Sequence, residues 1–318
     1  MKFKKPYFWD YKKPNLIAYL LTPLNFIFKI NNIILNVIPK KKYQNIKTIC
    51  VGNIYIGGTG KTPTVIKLYE IFKNNKLKVS TAKKYYLDQE DENTILKNRS
   101  EFITLNNRQK IVKKAIKENY ELLIFDDGLQ DRQIDYDFKL VCFDSKNWIG
   151  NGFLIPSGPM RETIYSLKKY DAVILKNIYK KSNQNEIYES IKKINPKIKI
   201  FNSYLKIKDK NEFDLNDKFL IFSGIGNNNS FKDLLIENRF NVIEEIVFPD
   251  HFNYKTHDIS NLLKIAKNKN LKILTTEKDY VKIPKNLREN INFIKIDLEI
   301  LEQKQLTELI KTKINEIN

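Results

Sequence analysis

Short apolar runs closed by turn residues alternate along this chain with stretches whose apolar residues recur at helical spacing. "KTICV" (47–51) is a β-rich run, "GNIYIGGTG" (52–60) a turn-rich loop, and "KTPTVIKLYEIF" (61–72) carries Val65, Ile66, Leu68, Tyr69 and Phe72 at helical spacing. Leu122 to Phe125 have the unbroken apolar composition of a buried parallel strand. "KFLIFSGIGNNNSFKDLLIENRF" (218–240) opens a second strand–loop–helix series after the polar stretch 206–217, and "LKILTTEKDYVKI" (271–283) is a later strand and loop. The alternation predicts parallel sheets with helices on their faces. We expect an α/β fold without internal repeats, divided into an N-terminal basic and apolar segment (1–45), a first domain (46–204) and a smaller α/β domain (205–318). The "SGIGN" turn is expected to pack the second domain.

The N-terminal run "NLIAYLLTPLNFIF" (15–28) is uncharged and apolar, and a second apolar stretch covers Ile30 to Ile38. A spanning helix needs about 20 continuous apolar residues. Pro23 lies inside the first run and Lys29 ends it, so a transmembrane helix is not expected. There is no small-residue cleavage site of a secretory signal. Lysines flanking Tyr7, Phe8, Trp9 and Tyr11 suit a segment lying in the headgroup region, rings at the interface and ammonium groups on anionic lipid. The alternative is a helix packed on the protein's own body.

Charge adds less than its size suggests. The formal net charge of +19 invites an acidic partner: nucleic acid, an anionic membrane surface or a phosphorylated substrate. Only six of the 56 basic residues are arginine, however, and the lysines run from end to end, as background composition also produces. Cys50 and Cys142 sit in apolar runs without metal-ligand spacing, as buried reduced thiols of a cytoplasmic protein do.

Four of the ten glycines fall within residues 52–60. Strand, glycine loop and helix form the context in which Gly-Lys-Thr means a phosphate cradle. Gly57, Gly58 and Gly60 permit backbone geometries that let successive N–H groups, including that of Thr59, approach phosphate oxygens, and the following helix adds its positive dipole end. Lys61 can reach the β and γ phosphates and Thr62 can place its hydroxyl on Mg²⁺. The strict pattern has glycine six positions before the lysine, where this chain has Tyr55. "YELLIFDDGLQ" (120–130) supplies Asp126 and Asp127 at the C-terminal edge of a strand, the place for a metal-binding carboxylate. In "GFLIPSGPMRET" (152–163), Glu162 can complete the metal environment and Arg161 can grip a phosphate with its planar fork.

Taken together, "VGNIYIGGTGKTP", "DDGLQ", "IPSGPMRE", "FSGIGN", "FPDHFNY" and "LTTEKDYVK" resemble, in order, the motifs of the tetraacyldisaccharide 4'-kinases of lipid A biosynthesis, over residues 48 to 283. The resemblance implies a P-loop NTPase-like fold and a kinase that uses MgATP on the cytoplasmic face of the bacterial inner membrane, peripheral or monotopic, with an N-terminal apolar helix touching the bilayer. The implied acceptor is a lipid-linked glucosamine disaccharide 1-phosphate. Matched motif by motif, Lys61 and Thr62 bind ATP and metal, Asp127 is the Mg²⁺ ligand supported by Asp126 and Glu162, and Arg161 lines the substrate side. "QEDENTIL" (89–96) fits the family's base motif, which makes Asp91 the base, Glu92 its neighbour and His251 of "FPDHFNY" its partner from the second domain. His257, the other histidine, is expected to be structural. The chain departs from the family at "AKKYYL" (82–87), which has lost the glycines of the matching loop and has Lys83 for an arginine, and at Asp131, where a histidine is usual.

Three rival readings bear on function. A regulatory GTPase needs an Asn-Lys-x-Asp element, and in "TTEKD" Lys278 and Asp279 are adjacent, which is the wrong spacing. A nucleic-acid-associated ATPase is suggested by charge alone, and aromatics and lysines are not interleaved on one surface. A degenerate homologue that binds nucleotide or lipid without turnover is the third.

Overall fold

The computed structural model describes residues 5–25, 39–176, 181–226, 228–250 and 252–315. Twelve strands are described: β1 (Lys47–Gly52), β2 (Val79–Lys84), β3 (Phe102–Leu105), β4 (Leu122–Asp126), β5 (Phe138–Asp144), β6 (Ala172–Lys176), β7 (Lys199–Ile207), β8 (Lys218–Ser223), β9 (Asn241–Val247), β10 (Lys272–Thr276), β11 (Ile291–Ile294) and β12 (Ile296–Ile300). The helices are α1 (16–25), α2 (Lys61–Asn74), α3 (Glu90–Arg99), α4 (Arg108–Lys117), α5 (Lys181–Ile194), α6 (Asn228–Glu237), α7 (Thr256–Lys269), α8 (Glu277–Tyr280) and α9 (Gln303–Asn315).

Two units emerge. The larger comprises Met1–Tyr85, Ser100–Tyr204 and Leu298–Asn318. Its eight-stranded sheet runs β12-β7-β6-β5-β1-β4-β2-β3, and the pairings from β3 through to β7 are parallel. Burial on both faces is why these strands read as continuous apolar runs. Cys50, Ala82, Leu123, Phe125, Val141, Phe143, Val173 and Leu175 share one cluster with Ile111, Val112 and Ala115 of α4 and Ile187 and Ile191 of α5. α2 packs against β1, β2 and β4, and buries Val65, Ile66, Leu68, Tyr69 and Phe72, the residues whose spacing predicts it. Each such side chain withdrawn from water contributes about 1.5–3 kcal/mol before entropy is counted.

The smaller unit comprises Tyr86–Arg99 and Leu205–Asp297. Its sheet, ordered β11-β10-β8-β9, is parallel throughout. Successive strand residues point to opposite faces. Accordingly Leu220, Phe222 and Ile273 join a cluster with α7, while Phe219, Ile221 and Leu274 join another with α6.

This division differs from the contiguous one expected from sequence at two segments. Residues 86–99 lie in the smaller unit, where Arg99 donates to the Ile296 carbonyl at 3.0 Å and pairs with Asp297. Residues 298–315 lie in the larger, where Glu299 pairs with Lys67 at 2.9 Å and α9 buries Leu306, Ile310 and Ile314.

At the N-terminus the expectation of interfacial rings is corrected for two residues. Trp9 is fully buried and Phe8 nearly so, clustered with Ala18, Leu21, Ile56, Phe153 and Ile155, and the Trp9 indole donates to the Pro156 carbonyl at 3.0 Å. Tyr7 and Tyr11 remain exposed. α1 therefore packs through Ala18 on the body of its unit while Leu16, Ile17, Tyr19, Leu20 and Leu24 face outward. No helix among the described residues is long and apolar enough to cross a membrane.

Candidate active site

The glycine loop joins β1, in the middle of the larger sheet, to α2. Gly57 has φ 143° and Gly60, the N-cap of α2, has φ 88°, conformations that cost a residue with a side chain about 1–3 kcal/mol. The Asn53 amide donates to the carbonyls of Tyr55 at 2.6 Å and Gly57 at 3.3 Å. Lys176, at the end of β6, donates to the Gly58 carbonyl at 3.0 Å and pairs with buried Asp144 at 3.0 Å. The loop is thus braced from behind. Tyr55 is buried, its hydroxyl donating to Asp10 at 2.6 Å and accepting from Lys5 at 2.7 Å, and its ring lies against Gly57. The Thr59 hydroxyl is buried with no hydrogen-bond partner among the described residues, so this wall of the loop has a donor to offer a phosphate.

Parallel register sets Val51 beside Asp126, which brings the first carboxylate to the mouth of the loop. Asp126 is fully buried, and its Oδ2 accepts from the Thr62 hydroxyl at 2.8 Å and from Lys83 at 3.2 Å. Its Oδ1 is buried with no hydrogen-bond partner among the described residues. A carboxylate oxygen left unsatisfied beside the Thr62 hydroxyl fits a hydrated divalent cation, because such an atom otherwise carries the cost of desolvation uncompensated. Asp127 follows at φ 58° and turns to other partners: Arg161 at 2.9 and 3.1 Å, and Lys61 at 3.7 Å. Burial would raise its carboxyl pKa, but Lys61, Arg161 and Lys83 outweigh burial and hold it below the ordinary range.

Arg161 reaches this position because residues 54–56 and 159–161 run side by side: its N–H donates to the Ile54 carbonyl at 2.7 Å, and that of Ile56 to the Pro159 carbonyl at 2.8 Å. Glu162 accepts from the Gln130 amide at 2.9 Å and the Tyr170 hydroxyl at 3.0 Å. Among the described residues no group of three His, Cys, Asp or Glu side chains that could hold a metal ion is found, and Asp126, Asp127 and Glu162 each have the separate partners given above. Beyond Arg161 lies a cavity of about 590 Å³ whose walls include Gln130, Arg132, Glu162, Tyr165 and Lys169.

Asp91 and Glu92 belong to the smaller unit, in the first turn of α3. Asp91 is buried, accepts the Glu92 N–H at 2.8 Å, and lies 3.8 Å from the ammonium groups of both Lys278 and Lys282. His251 lies outside the described residues. His257 is exposed at the start of α7, 3.1 Å from Asp258. The Gly224 N–H of the "SGIGN" turn donates to Asp279 at 3.0 Å, inside the smaller unit.

Sequence reasoning missed several participants. Lys83, Gln130, Lys176 and Arg108 all touch the site; Arg108 donates to the Asp127 carbonyl at 2.5 Å and to Asp131 at 2.8 Å. Scarcity of arginine was the available signal for Arg108, and its pair with Asp131 gives that residue a place here. Position at a strand's C-terminal edge was the signal for Lys83 and Lys176.

A glycine loop rising from a parallel strand into a helix, with a carboxylate from the neighbouring strand on the helix's first threonine, defines the P-loop class of nucleotide-binding folds. Comparison with known proteins narrows the class. Residues 17–315 match the sequence profile of LpxK, tetraacyldisaccharide-1-P 4'-kinase, and the chain belongs to that family. It is 42% identical to the tetraacyldisaccharide 4'-kinase of Pelagibacter ubique over 325 residues, covering all of both chains. It is 33% identical to that of Rickettsia conorii over 330 residues, covering 98% of this chain and 99% of the relative. A crystal structure of LpxK from Aquifex aeolicus in complex with ATP superposes with a TM-score of 0.70 at 20% identity, covering 94% of this chain and 100% of that one.

Proposed function

We propose that the protein transfers the γ-phosphate of ATP to the 4'-hydroxyl of a tetraacyl glucosamine disaccharide 1-phosphate, at a membrane surface. The observation that carries this reading is the pairing of Thr62 with Asp126 and of Lys61 with Asp127 at the mouth of one glycine loop. In this reading the loop amides and the Thr59 hydroxyl hold the phosphates, Lys61 and Arg161 neutralise charge on the transferred group, and Thr62 and Asp126 hold Mg²⁺ through its water shell. When bound there, Mg²⁺ would supply positive charge to offset that of the transferring phosphate. Lys61 and Arg161, now paired with Asp127, would pass to the phosphate when nucleotide enters, and Asp127, released from them, would be available to help hold the metal ion. Asp91 accepts the proton of the sugar hydroxyl, with Glu92 and His251 in support. The phosphate machinery and the base thus belong to different units of the chain.

The cavity beside Arg161 supports an acceptor carrying phosphate, since Arg132 and Lys169 share its wall. The outward row of Leu16, Ile17, Leu20 and Leu24 on α1 supports contact with lipid. Incubation of purified protein with radiolabelled ATP, Mg²⁺ and detergent-solubilised acceptor should yield labelled lipid, and chelation of the metal should abolish it. Absence of labelled lipid across a range of Mg²⁺ concentrations would remove the kinase reading.

A further inference from the structure

The "TTEKD" segment takes no part in the chemistry assigned so far, yet its Lys278 gathers three carboxylates of the smaller unit. Lys278 is only about one-fifth exposed, and its ammonium lies 3.3 Å from Glu92, 3.7 Å from Asp250 and 3.8 Å from Asp91. Those carboxylates come from two separate segments, the start of α3 and the loop that follows β9. Lys282, the other cation facing Asp91, is committed to Asp279 at 2.8 Å and lies over the Tyr254 ring. Asp279 in turn is fully buried, accepting from Thr276 at 2.7 Å, Tyr254 at 2.9 Å and the Gly224 N–H at 3.0 Å.

Three carboxylates around one ammonium repel one another, and a cluster that joins buried Asp91 to exposed Asp250 is a poor source of stability. Such a cluster earns its place by fixing geometry and protonation state. We propose that Lys278 is a positioning residue for the proton acceptor: it holds Asp91 ionised and in place on α3, and ties that segment to the loop bearing Asp250. The inference rests on the assignment of Asp91 as the base. Burial by itself would lower the Lys278 pKa, but Glu92, Asp91 and Asp250 outweigh it and raise it, so the ammonium stays charged throughout the working range.

The test compares kcat and KM for ATP of the wild type, Lys278→Met, Lys278→Arg and Asp250→Asn from about pH 5 to pH 9, with thermal unfolding recorded alongside. Removing the cation leaves Asp91 beside Glu92 and Asp250 with less to offset them, so Lys278→Met should displace the acidic limb of the profile upward by about one pH unit. It should lower kcat roughly ten-fold at neutral pH with KM for ATP unchanged, and Lys278→Arg should restore most of the loss. Asp250→Asn removes a like charge and should displace the limb downward with the fold intact, so it carries the test if Lys278→Met does not fold. Opposite displacements are a signature that loss of packing does not produce. Limbs that stay at the wild-type position in the folded variants overturn the proposal while the kinase reading stands; a wild type without turnover on the acceptor removes both.

Discussion

Asp126 and Asp127 are neighbours in sequence with different partners. The first, fully buried, receives Thr62 and Lys83; the second, in a left-handed conformation, receives Lys61 and Arg161. "DDGLQ" made a carboxylate pair legible, because its two acids directly follow an apolar strand. The division of labour was not, since it depends on a single residue's φ. Lys83 was marked only as a replacement for an arginine, and Lys176 not at all: in a chain so rich in lysine the type alone carries no information, and the strand register is what brings both to the loop. Lys83 and Asp126 are both buried, and removing one partner of such a pair leaves the other charge stranded. Asp126→Ala should therefore lower stability by about 3 kcal/mol as well as weaken metal-dependent nucleotide binding. Chemical denaturation of wild type and variant measures the first effect, and calorimetric titration with nucleotide at varied Mg²⁺ the second.

At the scale of elements, the strand, loop and helix from Lys47 to Asn74 were readable because glycine clustering and a change of hydrophobic period coincide there. α3 was harder. Its sequence, "EDENTILKNR", has little amphipathic pattern; it buries Ile95 and Leu96, and its two ends are held by the pairs Glu92–Lys278 and Arg99–Asp297. Such pairs depend on contacts remote in sequence. The loop is tight at Gly60: a Cβ there would approach the Lys176 side chain to 3.1 Å, at a φ that disfavours side chains. Gly60→Ala should thus strain the loop and disturb the brace that Lys176 gives to the Gly58 carbonyl. The expected loss in ATP affinity is about ten-fold or more, equivalent to at least about 1.4 kcal/mol. Equilibrium nucleotide binding, with circular dichroism to verify the fold, checks it.

For the whole molecule, the alternating pattern conveyed an α/β chain with two sheets, but not which segments each unit keeps. The periodic signal is local, and membership is decided by where α9 and α3 find their buried faces. The same limit applied at the N-terminus, where an apolar run does not say which of its rings turn inward: Trp9 does, and Leu16, Leu20 and Leu24 do not. If that outward row meets lipid, a double variant Leu16→Ser/Leu20→Ser should reduce co-sedimentation with anionic vesicles several-fold and leave nucleotide binding unaffected. Equal retention on vesicles by both proteins would argue that the row has another purpose. The chain crosses between its units after residues 85, 99, 204 and 297, and the last crossing, within β12, brings the end of that strand and α9 into the larger one. On the ribosome, the nucleotide-binding half therefore stays unfinished until almost the whole polypeptide has emerged, with an open sheet edge to be shielded meanwhile. The smaller unit has every strand of its own sheet by then, so its sheet can be complete before the larger one gains its last strand.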